Sequence, residues 1–174
     1  MDEGPTLVKR WLPHIGIALG VLLAVYALFF ASSDEDLIRE QLERLEDAVA
    51  VSDGANIVIR TAHVKKEFSE IFVKEVTFEI PDLPSNEDGR RGLVALAASA
   101  PRLFRTATVD LDDLSIDVDE QGTTAVAQGP ATLTGTRQTG ELERDQRLVS
   151  LRFDKIDGAW LCVSLSVAAK GSGG

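Results

Sequence analysis

Six acidic residues crowd one short stretch of the chain: Asp110, Asp112, Asp113, Asp117, Asp119 and Glu120. Carboxylates in pairs can act as acid and base or hold a hard cation such as calcium. Here they alternate with Leu111, Ile116 and Val118, which is the pattern of a strand with one wet face. No Asp-x-Asp-x-Asp-Gly loop closed by a glutamate is present, so the sequence gives no calcium loop and no metal site. After the hydrophobic N-terminal block the only histidine is His63 and the only cysteine is Cys162. His63 has no second histidine or cysteine near it, which reads as a helix-flank residue. Cys162 sits in an apolar strand and reads as a small packing residue. Gly-x-Gly-x-x-Gly, Gly-Lys-Ser/Thr and Gly-x-Ser-x-Gly signatures do not occur, so phosphate-loop and nucleophile-elbow chemistries are not indicated. We therefore expect no catalytic residues, no cofactor and no enzyme.

These side chains hang on a chain of 174 residues with net charge −10. Asp2 and Glu3 cancel Lys9 and Arg10, so the whole charge falls after Ser33. Such a domain repels phosphate backbones, which argues against a nucleic-acid partner. A single cysteine excludes an intramolecular disulfide. Residues 11–31 are almost wholly apolar, about the length a helix needs to cross ~30 Å of hydrocarbon. Lys9 and Arg10 precede this run and Asp34, Glu35 and Asp36 follow it. The positive-inside rule then places residues 1–10 in the cytoplasm, residues 11–31 in the membrane and the rest outside, periplasmic or extracellular. A cleaved signal peptide is the competing reading, with Ala31-Ser32-Ser33 as its small-residue site, but the apolar run is long for one.

The exported part reads as α+β. Ser33 caps a helix with Ile38, Leu42, Leu45 and Val49 on one side and a Glu40–Arg44 pair on another. A second helix is expected over Asn56–Phe72, with Ile57, Thr61, Val64, Phe68 and Ile71 inward. Val76, Phe78 and Ile80 make a strand ending at Pro81, and a third helix spans about Glu87–Ala100 before Pro101. From Phe104 the period is two. A strand bends at Asp112-Asp113, another runs over Thr124–Thr136 with an interruption at Gly129-Pro130, and Leu148–Asp154 pairs with Trp160–Val167 across Asp157-Gly158. Lys170 and the Gly/Ser residues after it, within 169–174, form a flexible tail.

This order, with Pro81, Gly89-Arg90, the helix through Leu93 and the terminal Phe153, Lys155, Asp157-Gly158 and Trp160, resembles the nuclear transport factor 2-like (SnoaL-like) superfamily over residues 34–168. The resemblance implies a cone of three helices inside a strongly bent, mostly antiparallel sheet. It also implies sites to test. The ketosteroid-isomerase branch carries an aspartate base just before the proline after its first strand, where this chain has Ile80. Its tyrosine donor has no counterpart, since the only tyrosine is Tyr26. Dehydratase members use a His–Asp pair, for which only His63 is on offer. If the cone is hollow, Phe78, Ile80, Phe104, Phe153 and Trp160 would line it, with His63 and Gln128 as polar handles. Anchored domains of this kind, such as the periplasmic domain of a type IV secretion assembly factor, imply an interaction or scaffold role. That role expects a protein partner or homodimer through the outer sheet face near Thr132, Thr134, Arg147 and Arg152. The alternative is a small-molecule binder, or an atypical SnoaL-like enzyme, using the apolar interior.

Overall fold

The computed structural model describes residues 33–81 and 89–168. Among these residues no helix is long and apolar enough to cross a membrane; the span expected over residues 11–31 lies outside them, as do residues 1–10, Glu87 and the tail over 169–174.

Helix α1 (Asp34–Val49) starts directly after Ser33 and carries three acids in its first turn, where the helix dipole favours negative charge. It buries Ile38, Leu42, Leu45 and Ala48. Arg44 does not close the expected pair with Glu40. Its guanidinium donates to Glu67 and Glu70, each at 2.8 Å, because the neighbouring helix brings two carboxylates within reach. That helix, α2 (Ile57–Ile71), is capped by Asn56, whose side chain accepts from the amides of Val58 and Ile59. Its buried stripe is Arg60, Val64, Phe68 and Ile71, so Ile57 stands about half exposed and Thr61 only half buried. The expected stripe was off by one step at its start because an arginine takes the inward position.

Strand β1 (Phe72–Glu79) follows α2 with no intervening loop. Helix α3 (Gly89–Ser99) runs into a 3-10 turn over Ala100–Arg102 that carries Pro101. Strands β2 (Phe104–Asp110), β3 (Ser115–Val118), β4 (Thr124–Arg137), β5 (Leu142–Ile156) and β6 (Ala159–Val167) complete a six-stranded sheet ordered β1-β6-β5-β4-β2, with β3 also on β4. Only the β1–β6 pairing is parallel. The β5–β6 hairpin closes on Asp157-Gly158 with φ of 51° and 84°, the primed-turn geometry that matches strand twist.

The Gly129-Pro130 pair does not interrupt β4. On one side Gly129 and Pro130 pair with Val149 and Leu148 of β5. On the other side they fall between β2, which covers Thr132 to Arg137, and β3, which covers Ala125 to Gln128. Pro130 therefore stands where no ladder bond is asked of it. The corner joining β2 to β3 presses onto this gap: a Cβ on Gly129, at φ 153°, would lie 2.9 Å from the Asp113 carbonyl. Strand β5 begins at Leu142, well before the expected Leu148. The added residues are mostly charged and give little apolar alternation, but pairing with β4 templates them, and Arg137 binds Glu143 at 2.5 Å.

The helices pack on the face of the sheet that carries Ala125, Ala127, Ala131, Leu151, Phe153 and Trp160. Phe68 and Phe72 meet edge to face at 5.1 Å where α2 becomes β1.

Candidate functional site

Interior first. Phe153 is fully buried and Trp160 is 2% exposed, each part of one continuous core with Ile38, Phe68 and Phe72. They belong to the buried core, and the sequence reading placed them along a cavity only for a hollow cone. Trp160 also has a polar task. Its indole N–H donates to Asp34 at 3.0 Å, and the Lys155 ammonium binds the same carboxylate oxygen at 2.6 Å while lying 5.3 Å from the indole ring. The Lys155 hydrogen bond, then that of Trp160, holds the Asp34 carboxyl below its usual range. Cys162 is buried; burial pushes its thiol up to about 12 and its S–H donates to the Ser164 carbonyl, so it is an inert packing residue.

The remaining candidate residues scatter. His63 is exposed on α2 beside the core residue Val64. Gln128 is exposed on the opposite face from Ala127 and opens onto a shallow groove across the outer side of the sheet with Ser115, Ser150 and Ser166. Phe104 is half buried at the start of β2 under the Arg137 guanidinium, 5.7 Å from its ring. Ile80 packs half buried against the core edge. Phe78 alone lines an open groove on the helical side. Phe153 and Trp160 belong to one core cluster, Phe78 and Ile80 pack against it, and His63 and Gln128 stand exposed.

The acidic stretch resolves into separate jobs. Asp119 accepts from the amides of Thr123 and Thr124 and from the Thr123 hydroxyl, which fixes the β3–β4 turn; those backbone bonds hold its carboxyl low. Asp110 and Asp112 approach Glu46 of α1, their carboxylate oxygens lying within 4.8 Å of one another. Glu46 accepts from the Leu111 amide and Asp110 from the Asp112 amide. Burial, which outweighs the Leu111 bond, raises the Glu46 carboxyl above its ordinary value. The trio reads as a clamp on the β2–β3 corner.

Arg60 is the residue that sequence reasoning missed. It is 9% exposed and donates to the carbonyls of Ala50, Val49 (3.0 Å) and Ala97 (3.3 Å), the C-terminal ends of α1 and α3. Burial without a carboxylate lowers its pKa. The signal that could have found it is an arginine in phase with Val64 and Phe68.

Two surfaces remain. The outer face of β4 and β5 carries exposed Leu142 (81%) and Leu148 (64%) beside Thr134, Arg144, Gln146 and Arg152. Thr132 is half buried there, and Arg147 is not on this face. It stands opposite Ala131, on the side of Leu151, and binds Asp145 at 2.9 Å, because side chains alternate along a strand. The other surface is the groove that includes Phe78. It measures about 1310 Å³ between α2, β1 and the start of α3, and its rim carries Lys65, Lys66, Lys74, Arg90 and Arg91.

No protein-family model matches the chain, and no curated protein matches it. Solved structures do. A nuclear transport factor 2-like superfamily protein from Salmonella enterica serovar Typhimurium is 20% identical over 83% of this chain and 96% of that one, with a TM-score of 0.64. A hexachlorocyclohexane dehydrochlorinase (LinA, type 2) is 11% identical over 77% of this chain and 83% of that one, TM-score 0.62. The association domain of C. elegans CaMKII is 14% identical over 78% of this chain and 94% of that one, TM-score 0.56. At these identities the likeness is one of fold: the domain has the nuclear transport factor 2-like architecture, as the terminal hairpin and helix order implied.

Proposed function

We propose that the chain is a membrane-anchored interaction or assembly domain, held outside the cytoplasm by residues 11–31 and without catalytic activity of its own. The observation that carries this is the outer sheet face, where Leu142 and Leu148 stand exposed within a field of threonine, glutamine and arginine. Large apolar side chains on the wet side of a sheet are the kind of surface that protein partners cover. The CaMKII association domain supports the reading, since a domain named for association is built on the same fold. Support for the topology is the charge asymmetry around the apolar run, and support for a homodimer is that one sheet face can meet its own copy about a two-fold axis.

A second reading, a small-molecule binder or atypical SnoaL-like enzyme, draws on the dehydrochlorinase among the fold neighbours. Against it weigh Phe153 and Trp160, which occupy the interior such a ligand would need. Native mass spectrometry of the full chain released from detergent micelles tests both. A dimer that Leu148→Glu with Leu142→Glu converts to monomer supports the assembly module; a monomer with a stoichiometric small-molecule adduct sinks it.

A further inference from the structure

Strand β1 ends the sheet. Its one strand partner among the described residues is β6, so the other edge presents backbone amides and carbonyls to no strand. Such an edge is a template for another extended chain. Lys74, Glu75, Val76, Thr77 and Phe78 all line the groove on the helical side. The β1–β6 register shifts between Phe72 and Thr77, and Lys74 and Glu75 both stand exposed, so the groove follows a bulged stretch of the strand and its regular part, Thr77 and Phe78. One end is closed by α3, where a Cβ on Gly89 would stand 2.7 Å from the Lys74 carbonyl.

The walls are cationic in an otherwise acidic domain. Arg90 is committed to structure, donating to the carbonyls of Ser69 and Phe72. Lys65 and Arg91 make no ion pair among the described residues. Lys66 and Lys74 have only 3.4 Å contacts with Glu67 and Glu75, and Glu67 is drawn more closely to Arg44 at 2.8 Å. Glu75 is the one acid on the lining among the described residues. Half-buried Phe78 and Val94 supply apolar contact between these charges.

We propose that this groove binds an extended acidic segment of a partner protein, which adds as a strand to the free edge of β1 while its carboxylates meet Lys65, Lys66, Lys74 and Arg91. Backbone pairing supplies the geometry and the cationic rim supplies selection for acidic sequence. The site is separate from the outer sheet face, so it can be tested apart from the dimer.

The test is fluorescence anisotropy of a labelled alternating Glu-Val decapeptide with the full chain in uncharged detergent micelles. Saturable binding that weakens as salt rises is expected. A Lys-Val decapeptide should not bind. Lys65→Glu with Arg91→Glu should weaken binding at least about tenfold while leaving circular dichroism and the native mass unchanged. N-methylation of alternate backbone amides of the Glu-Val peptide, which keeps its charge and removes its ladder donors, should cost a similar factor. Equal binding of the N-methylated peptide, or no effect of the charge reversals, overturns the proposal. So does binding to phosphatidylglycerol vesicles without peptide binding, and so does concentration-dependent self-association abolished by the same reversals, which would assign the groove to a lipid surface or to a second copy.

Discussion

The two edges of the sheet are finished in opposite ways. At the β2–β3 edge the strand is broken, and the turn after α1 lies against it: the amide of Val51 donates to the Ala107 carbonyl at 2.8 Å and the reverse bond measures 3.0 Å. Exposed aspartates crowd that side, and Glu46 reaches over to hold its corner. At the β1 edge there is no covering strand among the described residues, the register shifts between Phe72 and Thr77, and the groove beside it carries lysine and arginine with Glu75 as the acid among the described lining. Edges that are bent, covered and charged resist pairing with foreign strands. One edge of this domain thus combines a break, a backbone cover and charge, while the β1 edge has a register shift and lysine but no bridging strand among the described residues.

Substitutions can break that contrast in graded steps. The largest effect is expected from Gly129→Val, which drives a side chain into the Asp113 carbonyl and Leu114 at the corner where β2 gives way to β3. A loss of about 3 kcal/mol is expected from the backbone strain and overpacking, read as a lower urea midpoint. Arg60→Met should cost about 2–3 kcal/mol by stripping the donors from Val49, Ala50 and Ala97. Because Val51 follows those carbonyls directly, hydrogen exchange at the Ala107 amide should accelerate more than at β6. If exchange rises equally everywhere, Arg60 stabilises the fold without specifically holding the cover.

Asp34→Asn acts at the clasp on the β5–β6 hairpin, with about 1–2 kcal/mol expected from weakened bonds to Lys155 and Trp160. Its pH signature is specific. The folded carboxyl lies below the unfolded value of 3.8, so its contribution is present above that value and is lost as pH falls through the lower folded one. Wild type and variant should therefore converge in stability under strongly acidic conditions. The smallest effect should come from Glu46→Gln. The folded Glu46 carboxyl is raised above 4.5, so its ionisation costs stability once pH exceeds the folded value. The amide can still accept from Leu111, and a gain under about 1 kcal/mol is expected at neutral pH, fading as pH drops toward 4.5. A calorimetric series over that range would show it.

What the sequence made legible was whatever depends on local period. The stripe Ile38, Leu42, Leu45, the alternation at Val76 and Phe78, and the Asp157-Gly158 turn each announce an element within a dozen residues, and their order carried the fold. Long-range contact was not legible. Nothing local says that Arg44 prefers Glu67 to Glu40, that Arg60 turns inward to three carbonyls, or that Pro130 is harmless because β2 has ended opposite it. The candidate pocket suffered most, since Phe153, Trp160 and Gln128 were grouped by residue type. Parity along β4 places Gln128 outside, while Phe153 and Trp160 are buried in the core cluster. The cationic groove was invisible for the same reason: Lys65 and Arg91 come from different helices, and only the turn of α2 directly into β1 brings them to one edge.

The clasp at Asp34 also bears on how the domain carries load. Asp34 is the first residue of α1, so a load applied at its N-terminal side meets the Lys155 and Trp160 contacts before it reaches the helix interior. Those two residues belong to the β5–β6 hairpin, whose strands are laddered into the centre of the sheet. A pull at Asp34 would thus reach the laddered strands of the β5–β6 hairpin as well as the first turn of α1.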